Sequence, residues 1–348
     1  MQKLPDKKTL KTIVNLLRKD DYGMIQFIPF KEHSDVLKEN ELPRLIEAEK
    51  NISGQIDRKE PVIYEYTFSR NYYCRMFKIN RKQELLAALF LYSKTLTVKE
   101  IEDELSEYYD LICDFLEKAE GDTVRFQFKL IPAFNFIILA DCLDSAMPDR
   151  VFFYRDSLHL GSYLMRKGNM RGGVADIGTG TGILSLVSIS LGASRATAVD
   201  INPRAIEFAE INVELNGLEN IFLRKGNVDS IIEFDGVNRI VSNPPYMFDD
   251  ERDKSSCING GSHFGMETAL KIVKLAVEKE VKLIMILASP ISSDGNLFEN
   301  LLSDEAGITR KEMIDLQKLY SEFSHNQPLI KAGFTHREFP IYEIDRTH

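Results

Sequence analysis

The sequence has little cysteine: Cys74, Cys113, Cys142 and Cys257 lie far apart, and no two form a Cys-x-x-Cys pair. That argues against a zinc site and against a disulfide framework, and it predicts reduced thiols in a cytoplasmic protein with no metal. An excess of positive charge is also missing. Lys and Arg number 44 against 53 Asp and Glu, a net charge of −9, so nothing draws the chain as a whole to phosphate backbones. No apolar run is long enough to span a bilayer. Met1-Gln2-Lys3-Leu4-Pro5-Asp6-Lys7-Lys8 has charge but no apolar core behind it, so neither a signal peptide nor a membrane partner is expected. Internal repeats and low-complexity tracts are absent. What is present is a 348-residue chain of ordinary apolar and charged content, enough for two or three domains.

Residues 1–80 are expected to form a helical and mixed segment. Leu10, Ile13, Val14 and Leu17 fall at helical spacing and Asp20-Asp21-Tyr22-Gly23 is a stop. Leu42, Leu45 and Ile46 suggest a second helix, Val62–Phe68 reads as a strand, and Tyr72 and Tyr73 are expected to pack. Residues 81–148 read as a separate module. Leu85, Leu86, Leu89 and Phe90 make one helical face, and Thr97-Val98-Lys99-Glu100 is a capping box that opens a helix with Ile101 and Leu105. A third helix carries Leu111, Ile112, Phe115 and Leu116. One strand alternates through Val124, Phe126, Phe128 and Leu130, and Phe136–Leu139 returns as its partner. Three helices and a hairpin resemble a winged helix. Glu102, Asp103, Glu104, Glu107, Asp110 and Asp114 crowd the same stretch, which is unfavourable for phosphate contacts.

Residues 149–348 are expected to form one α/β domain. Tyr154-Arg155-Asp156-Ser157 leads into an apolar helix through Leu160, Tyr163, Leu164 and Met165, and Gly172-Gly173 feeds a first strand at 174–177. Strand and helix then alternate. Helix 183–191 is stopped by Gly192, strand 197–200 follows, and the next helix opens at Asn202-Pro203 and stops at Gly217. Strands at 221–223 and 239–242, a helix at 266–277 and a buried strand at 282–287 complete the pattern. This alternation implies a Rossmann-like, doubly wound, mostly parallel sheet. Residues 338–343 read as an antiparallel edge strand, where Pro340 is tolerated.

Chemistry concentrates at two strand ends. In Asp176-Ile177-Gly178-Thr179-Gly180-Thr181-Gly182 the glycines allow a tight turn and close approach to a ligand, outside the carboxyl ends of the strands. Ile183 stands where a dinucleotide fingerprint needs glycine, and the P-loop lysine is missing. Asp176 repels a pyrophosphate but attracts an ammonium or sulfonium. Asp200, followed by Ile201, ends the next strand, where a carboxylate can accept both hydroxyls of a ribose. These features together point to S-adenosyl-L-methionine. Asn227, after Gly226, is placed either to accept an adenine amino group or simply to turn the chain.

The second strand end is Asn243-Pro244-Pro245-Tyr246. An amide or aromatic amine is a poor nucleophile because its lone pair is delocalised. The Asn243 side-chain oxygen and the Pro244 carbonyl can each accept one N–H of such an –NH2, turning the lone pair toward a methyl donor and stabilising the charge that develops on nitrogen. The prolines fix the loop, Tyr246 offers a flat face for a planar group, and orientation supplies the rest.

Residues 176–182, Asp200 and Asn243–Tyr246 together resemble class I S-adenosylmethionine-dependent methyltransferases of the Asn-Pro-Pro-Tyr type. Within that class they are similar to the small methyltransferase domain shared by protein glutamine methyltransferases and RNA base methyltransferases. Val199–Ala205, Asn212–Asn216, Gly260–Gly265 and Tyr154–Ser157 extend the likeness over roughly residues 150–290. It implies the doubly wound fold, S-adenosyl-L-methionine as cofactor, and N-methylation of a planar amino or amide nitrogen. A protein glutamine is the precedent, with a nucleic-acid base or a small molecule as alternative acceptors. Tyr154, Asp156 and His263 are expected to shape the acceptor side, and Cys257 to be inert. Two departures stand out: the family has Asp where this chain has Asn227, and residues 1–145 are longer than the small helical bundle of the glutamine enzymes.

Overall fold

The computed structural model describes residues 4–24, 80–142, 149–153, 155–230, 235–248, 259–302, 307–314 and 327–345. The expected elements at 42–46 and 62–68, and Tyr72, Tyr73, Cys74, Tyr154 and Cys257, lie outside the described residues. The chain divides into two units, Met1–Asp144 and Ser145–His348.

In the first unit, α1 (Lys7–Lys19) buries Leu10, Ile13, Val14 and Leu17, and Asp6 caps it by accepting the Thr9 N–H. Helix α2 (Arg81–Leu86) runs on into a wider π turn over Ala87–Leu91. After β1 (Leu96–Thr97), α3 (Val98–Glu104) opens on the Thr97–Glu100 capping box that the sequence predicts. Then come α4 (Ser106–Ile112), β2 (Leu116–Lys118), β3 (Thr123–Phe126), β4 (Phe128–Ala133) and β5 (Phe136–Asp141). The single strand expected from Val124 to Leu130 is in fact two. β3 pairs with β1 and β2, whereas β4 pairs with β5. The alternation of apolar residues is continuous through Gln127 and so gives no sign of the change of partner. Residue 116 likewise belongs to β2 rather than to the third helix, which ends at Ile112. Tyr22 ties the end of α1 to this unit by donating its hydroxyl to the Leu130 carbonyl at 2.7 Å.

The second unit opens with α5 (Arg155–Lys167), followed by β6 (Gly173–Ile177), α6 (Ile183–Ser190), β7 (Arg195–Asp200), α7 (Pro203–Asn216), β8 (Ile221–Lys225) and β9 (Val237–Ser242). After these come α8 (Glu267–Glu278), β10 (Lys282–Ile286), β11 (Ser289–Ser292), β12 (Gly295–Asn296), α9 (Leu297–Leu301), β13 (Ile308–Ile314), α10 (Gln327–Lys331) and β14 (His336–Ile344). Asn202 caps α7 with Pro203 in its first turn, and Gly217 ends it in the left-handed region, as predicted. Strands β8, β7, β6, β9 and β10 lie side by side and parallel, and β14 enters antiparallel beside β10. The sheet is therefore doubly wound and mostly parallel, as the alternation implies. Ala269, Ile272, Val273 and Ala276 of α8 pack with Ala175, Ile240, Leu283 and Met285 from the sheet in one buried core.

Strand β14 is not an edge. It is flanked by β10 and its continuation β11 on one side and by β13 on the other. Pro340 is accommodated differently from the expectation. Its carbonyl accepts the Leu287 N–H at 3.2 Å, but its nitrogen has no proton to return, and the ladder is interrupted there between β10 and β11. No helix among the described residues is long and apolar enough to cross a membrane.

Candidate active site

Adjacent strands β6 and β7 set the first half of the site. The chain leaves β6 into the glycine turn, where the Gly178 and Thr179 N–H groups donate to the Val199 carbonyl of β7 at 2.8 and 3.0 Å. At Gly182, φ is 82°, and an added Cβ would lie 3.2 Å from the Ala209 Cβ, so glycine serves both the turn and the close approach of α6 to α7. The buried Asn212 of α7 donates to the Thr181 carbonyl at 2.9 Å, holding the turn from behind.

Asp176 is fully buried at the end of β6. Its Oδ2 accepts from the Thr179 hydroxyl (2.6 Å) and from the backbone and hydroxyl of Ser185 (3.0 and 2.7 Å). Its Oδ1 is buried with no hydrogen-bond partner among the described residues. Burial, with the Asp200 charge added, pushes the Asp176 carboxyl up to about 6. A buried acceptor atom left open beside a glycine turn fits a cationic ligand group, such as the ammonium of S-adenosyl-L-methionine.

Asp200 closes the turn from β7. Its Oδ2 accepts the Gly180 N–H and its Oδ1 accepts the Asn202 N–H, both at 2.9 Å. The Asp200 carboxylate is expected to accept both hydroxyls of a ribose; each of its oxygens already holds a backbone donor, and the remaining lone pairs are those open to hydroxyls. Burial raises this carboxyl as well. Beside it Ile201 is 58% exposed, a bare apolar surface of the kind that suits a flat base. Asn227 is exposed, one residue beyond Gly226, whose N–H donates to the Asp200 carbonyl at 2.9 Å.

Strand β9 delivers the second half. Ile177 pairs with Ser242, whose hydroxyl donates to the Ile177 carbonyl at 2.7 Å, so the glycine turn and the Asn243 loop leave the sheet side by side. A Cβ on Gly178 would lie 3.8 Å from the Asn243 carbonyl oxygen. The Asn243 Nδ2 donates to the Ser157 hydroxyl, and the Tyr246 hydroxyl donates to Asp156 Oδ2, both at 2.9 Å. Asp156 and Ser157 sit in the first turn of α5, because the helix starts at Arg155 rather than after the Tyr154–Ser157 segment.

Two further walls brace the loop. The Gly260 N–H donates to the Met247 carbonyl at 2.9 Å. Gly265 sits at φ +91°, and an added Cβ would stand 2.5 Å from the Tyr246 carbonyl oxygen, so backbone lies directly on backbone there. From β14, Phe339 meets the Tyr246 ring edge-on at 5.9 Å between centroids, and the Arg337 guanidinium lies 6.0 Å from that ring. Phe264 packs against Phe248 and Phe334, both at 5.1 Å, while its neighbour His263 is exposed with φ 53°. Among the described residues no group of His, Cys, Asp and Glu is arranged to hold a metal ion.

The structure thus gathers Asp176, Gly178, Thr179, Gly180, Gly182, Asp200, Ile201 and Asn243–Tyr246 at neighbouring strand ends, with Asp156 against Tyr246. The sequence marks Ser157 and Asn212 only as members of the Tyr154–Ser157 and Asn212–Asn216 segments, with no role of their own, and does not mark Arg337 or Phe339. Ser157 has a local signal, its place in the Tyr154–Ser157 segment. Arg337 and Phe339 have none, being about 90 residues from the loop they brace.

Residues 158–243 match the family model for ribosomal protein L11 methyltransferase (PrmA). The ribosomal protein L11 methyltransferase of Acetivibrio thermocellus is 48% identical over 58 residues, 17% of this chain and 18% of that protein. That of Desulforamulus reducens is 49% identical over 57 residues, 16% and 18% of the two chains. A solved ribosomal protein L11 methylase from Lactobacillus delbrueckii subsp. bulgaricus is 19% identical over 57% of this chain and 81% of that one, with a TM-score of 0.38. The chain spans less than a fifth of the length of the curated relatives it matches. The second unit is a doubly wound, mostly parallel α/β sheet, and part of it matches this family. The matching stretch is similar to the ribosomal protein L11 methyltransferases, and it runs from α5 to Asn243. The match therefore covers the glycine turn and Asp200 and stops at Asn243, where the Asn-Pro-Pro-Tyr loop begins.

Cofactor affinity should fall about tenfold between pH 7 and pH 5, since a carboxyl with a pKa of about 6 is mostly protonated at the lower pH. For the ligand-free fold the sign is opposite. A carboxyl raised by folding contributes stability that is complete below its unfolded pKa and is lost as pH rises through about 6. Calorimetric titration with S-adenosylhomocysteine at the two pH values checks the first statement, and an affinity independent of pH would remove Asp176 from the site.

Proposed function

We propose that this protein is a methyltransferase that uses S-adenosyl-L-methionine to methylate a planar amino or amide nitrogen. The observation that carries the reading is the register of Ile177 with Ser242, which sets the Asn243 loop directly beside the glycine turn. The cofactor, when bound, supplies an electrophilic methyl on a sulfonium, which leaves as a neutral thioether.

The residues of this chain then have separable tasks. Asp176 Oδ1 holds the cofactor ammonium, Asp200 the ribose, and Ile201 and Asn227 border the base. Asn243 Oδ1 and the Pro244 carbonyl each accept an N–H of the acceptor, and Tyr246 stacks on its plane. Both carbonyls face the nitrogen as it becomes positive, which stabilises the charge where it forms. The surplus proton on the product nitrogen goes to water, so no strong general base is required.

A protein side-chain nitrogen is the acceptor we favour, a glutamine amide in particular. The names of the matched relatives specify a ribosomal protein, and the −9 charge of this chain works against a nucleic-acid backbone. Incubation with tritiated cofactor and a lysate split into protein, RNA and metabolite fractions tests this. Label is expected in the protein fraction, and acid hydrolysis should release it as volatile methylamine if the acceptor is an amide. Label confined to RNA or metabolites would reassign the acceptor, and no transfer to any fraction would overturn the reading.

A further inference from the structure

An asparagine amide has two ends of similar shape and opposite polarity. The reaction proposed above works with only one of them facing the acceptor, because the acceptor brings N–H donors. The Asn243 backbone does not choose between the ends, so something else must.

The groups around Asn243 make the choice. Asp156 is 5% exposed, in the first turn of a 13-residue helix where a negative charge is favoured. Its Oδ1 accepts the Ser157 N–H and its Oδ2 accepts the Tyr246 hydroxyl, both at 2.9 Å. The Asn243 amide and the Tyr246 hydroxyl are the two side chains that stabilise its charged form, against the upward shift that burial imposes. A carboxylate can only accept hydrogen bonds, so it attracts the Nδ2 end of Asn243 and repels the Oδ1 end. Ser157 takes that Nδ2 at 2.9 Å. Rotating the amide by half a turn would set oxygen against carboxylate and aim –NH2 at the N–H of the acceptor, two unfavourable contacts at once. A buried carboxylate is costly beside the apolar residue that could fill the same space, so it calls for a task of this kind.

We propose that Asp156 and Ser157 are the positioning residues that fix the Asn243 amide with its oxygen toward the acceptor nitrogen, while Asp156 also sets the Tyr246 ring. This rests on the methyltransferase reading but goes beyond it, since it specifies what makes the loop selective for an N–H-bearing acceptor. Neither residue touches the reacting atoms.

Two cofactor analogues test it without knowledge of the acceptor. S-adenosylhomocysteine has nothing where the transferred methyl would be. Sinefungin carries an ammonium there, an N–H donor aimed at the oxygens that would grip the acceptor. The wild type should bind sinefungin about tenfold more tightly than S-adenosylhomocysteine, the order expected for a hydrogen bond to a charged group. Ser157→Ala and Asp156→Asn should erase most of that preference while leaving S-adenosylhomocysteine affinity within about twofold. Ser157→Thr, which keeps the hydroxyl, should retain it. A preference unchanged in both Ser157→Ala and Asp156→Asn overturns the proposal, as does a wild type with no preference. Ser157→Ala alone decides the matter if Asp156→Asn does not fold. Failure of the wild type to bind S-adenosylhomocysteine at all would instead overturn the methyltransferase reading.

Discussion

Replacing Asn243 with alanine should cut turnover about 10²-fold or more while leaving cofactor affinity nearly unchanged, the size found when one preorganised partner of a developing charge is removed. The asymmetry follows from the geometry. Asn243 is tied to Ser157, and neither its amide nor Ser157 is bonded to the glycine turn, Asp176 or Asp200. The donor half of the site is held by its own contacts, from the Val199 carbonyl and from Asn212. Losing the amide therefore removes the acceptor grip and the charge stabilisation together, without loosening the turn. Turnover of labelled protein against calorimetric affinity for S-adenosylhomocysteine is the measurement. Equal turnover in mutant and wild type would sink the role given to Asn243, and a parallel loss of cofactor affinity would make it a cofactor residue instead.

Asp200→Ala should weaken cofactor binding by about 1–3 kcal/mol, the cost of losing hydrogen bonds to a charged group. Two losses add here. The ribose hydroxyls would lose the acceptor proposed for them, and the Gly180 N–H loses the carboxylate that pins the middle of the glycine turn at 2.9 Å. Asp200→Asn separates them, since an amide oxygen can still take the Gly180 N–H but offers the ribose only one acceptor oxygen. An intermediate affinity for Asn is the expected result. Calorimetry that finds all three proteins alike would place the ribose elsewhere.

The sequence is a good guide to the sheet because parallel strands buried on both faces leave a strong trace. The short apolar stretches at Val174-Ala175, Ile240-Val241 and Leu283–Leu287 sit among helices whose ends are marked by Gly192, Asn202-Pro203 and Gly217, and each of these marks has a local steric or hydrogen-bonding cause. The donor half was legible for the same reason: Asp176, the glycines and Asp200 lie within 25 residues and their spacing is set by one strand-turn-helix-strand unit. The misreadings have physical causes too. Pro340 suggests an edge only if the missing donor must face solvent, whereas β14 loses a single ladder bond and keeps neighbours on both sides. The break at Gln127 changes strand partners without changing the side-chain alternation. Asp156 was legible as an acceptor-side residue but not as the partner of Tyr246, and Arg337 and Phe339 were invisible, because all three reach that ring only through tertiary packing, across about 90 residues in either direction.

Strand β14 has a consequence for biosynthesis. It is the element that slots between β10 and β13 and brings Phe339 and Arg337 against Tyr246. A ribosome makes it about 90 residues after the Asn243 loop. The residues of the glycine turn and of Asp200 are therefore translated well before the segment that backs Tyr246. The backing of the Tyr246 ring is thus the last part of the candidate site among the described residues to be synthesised.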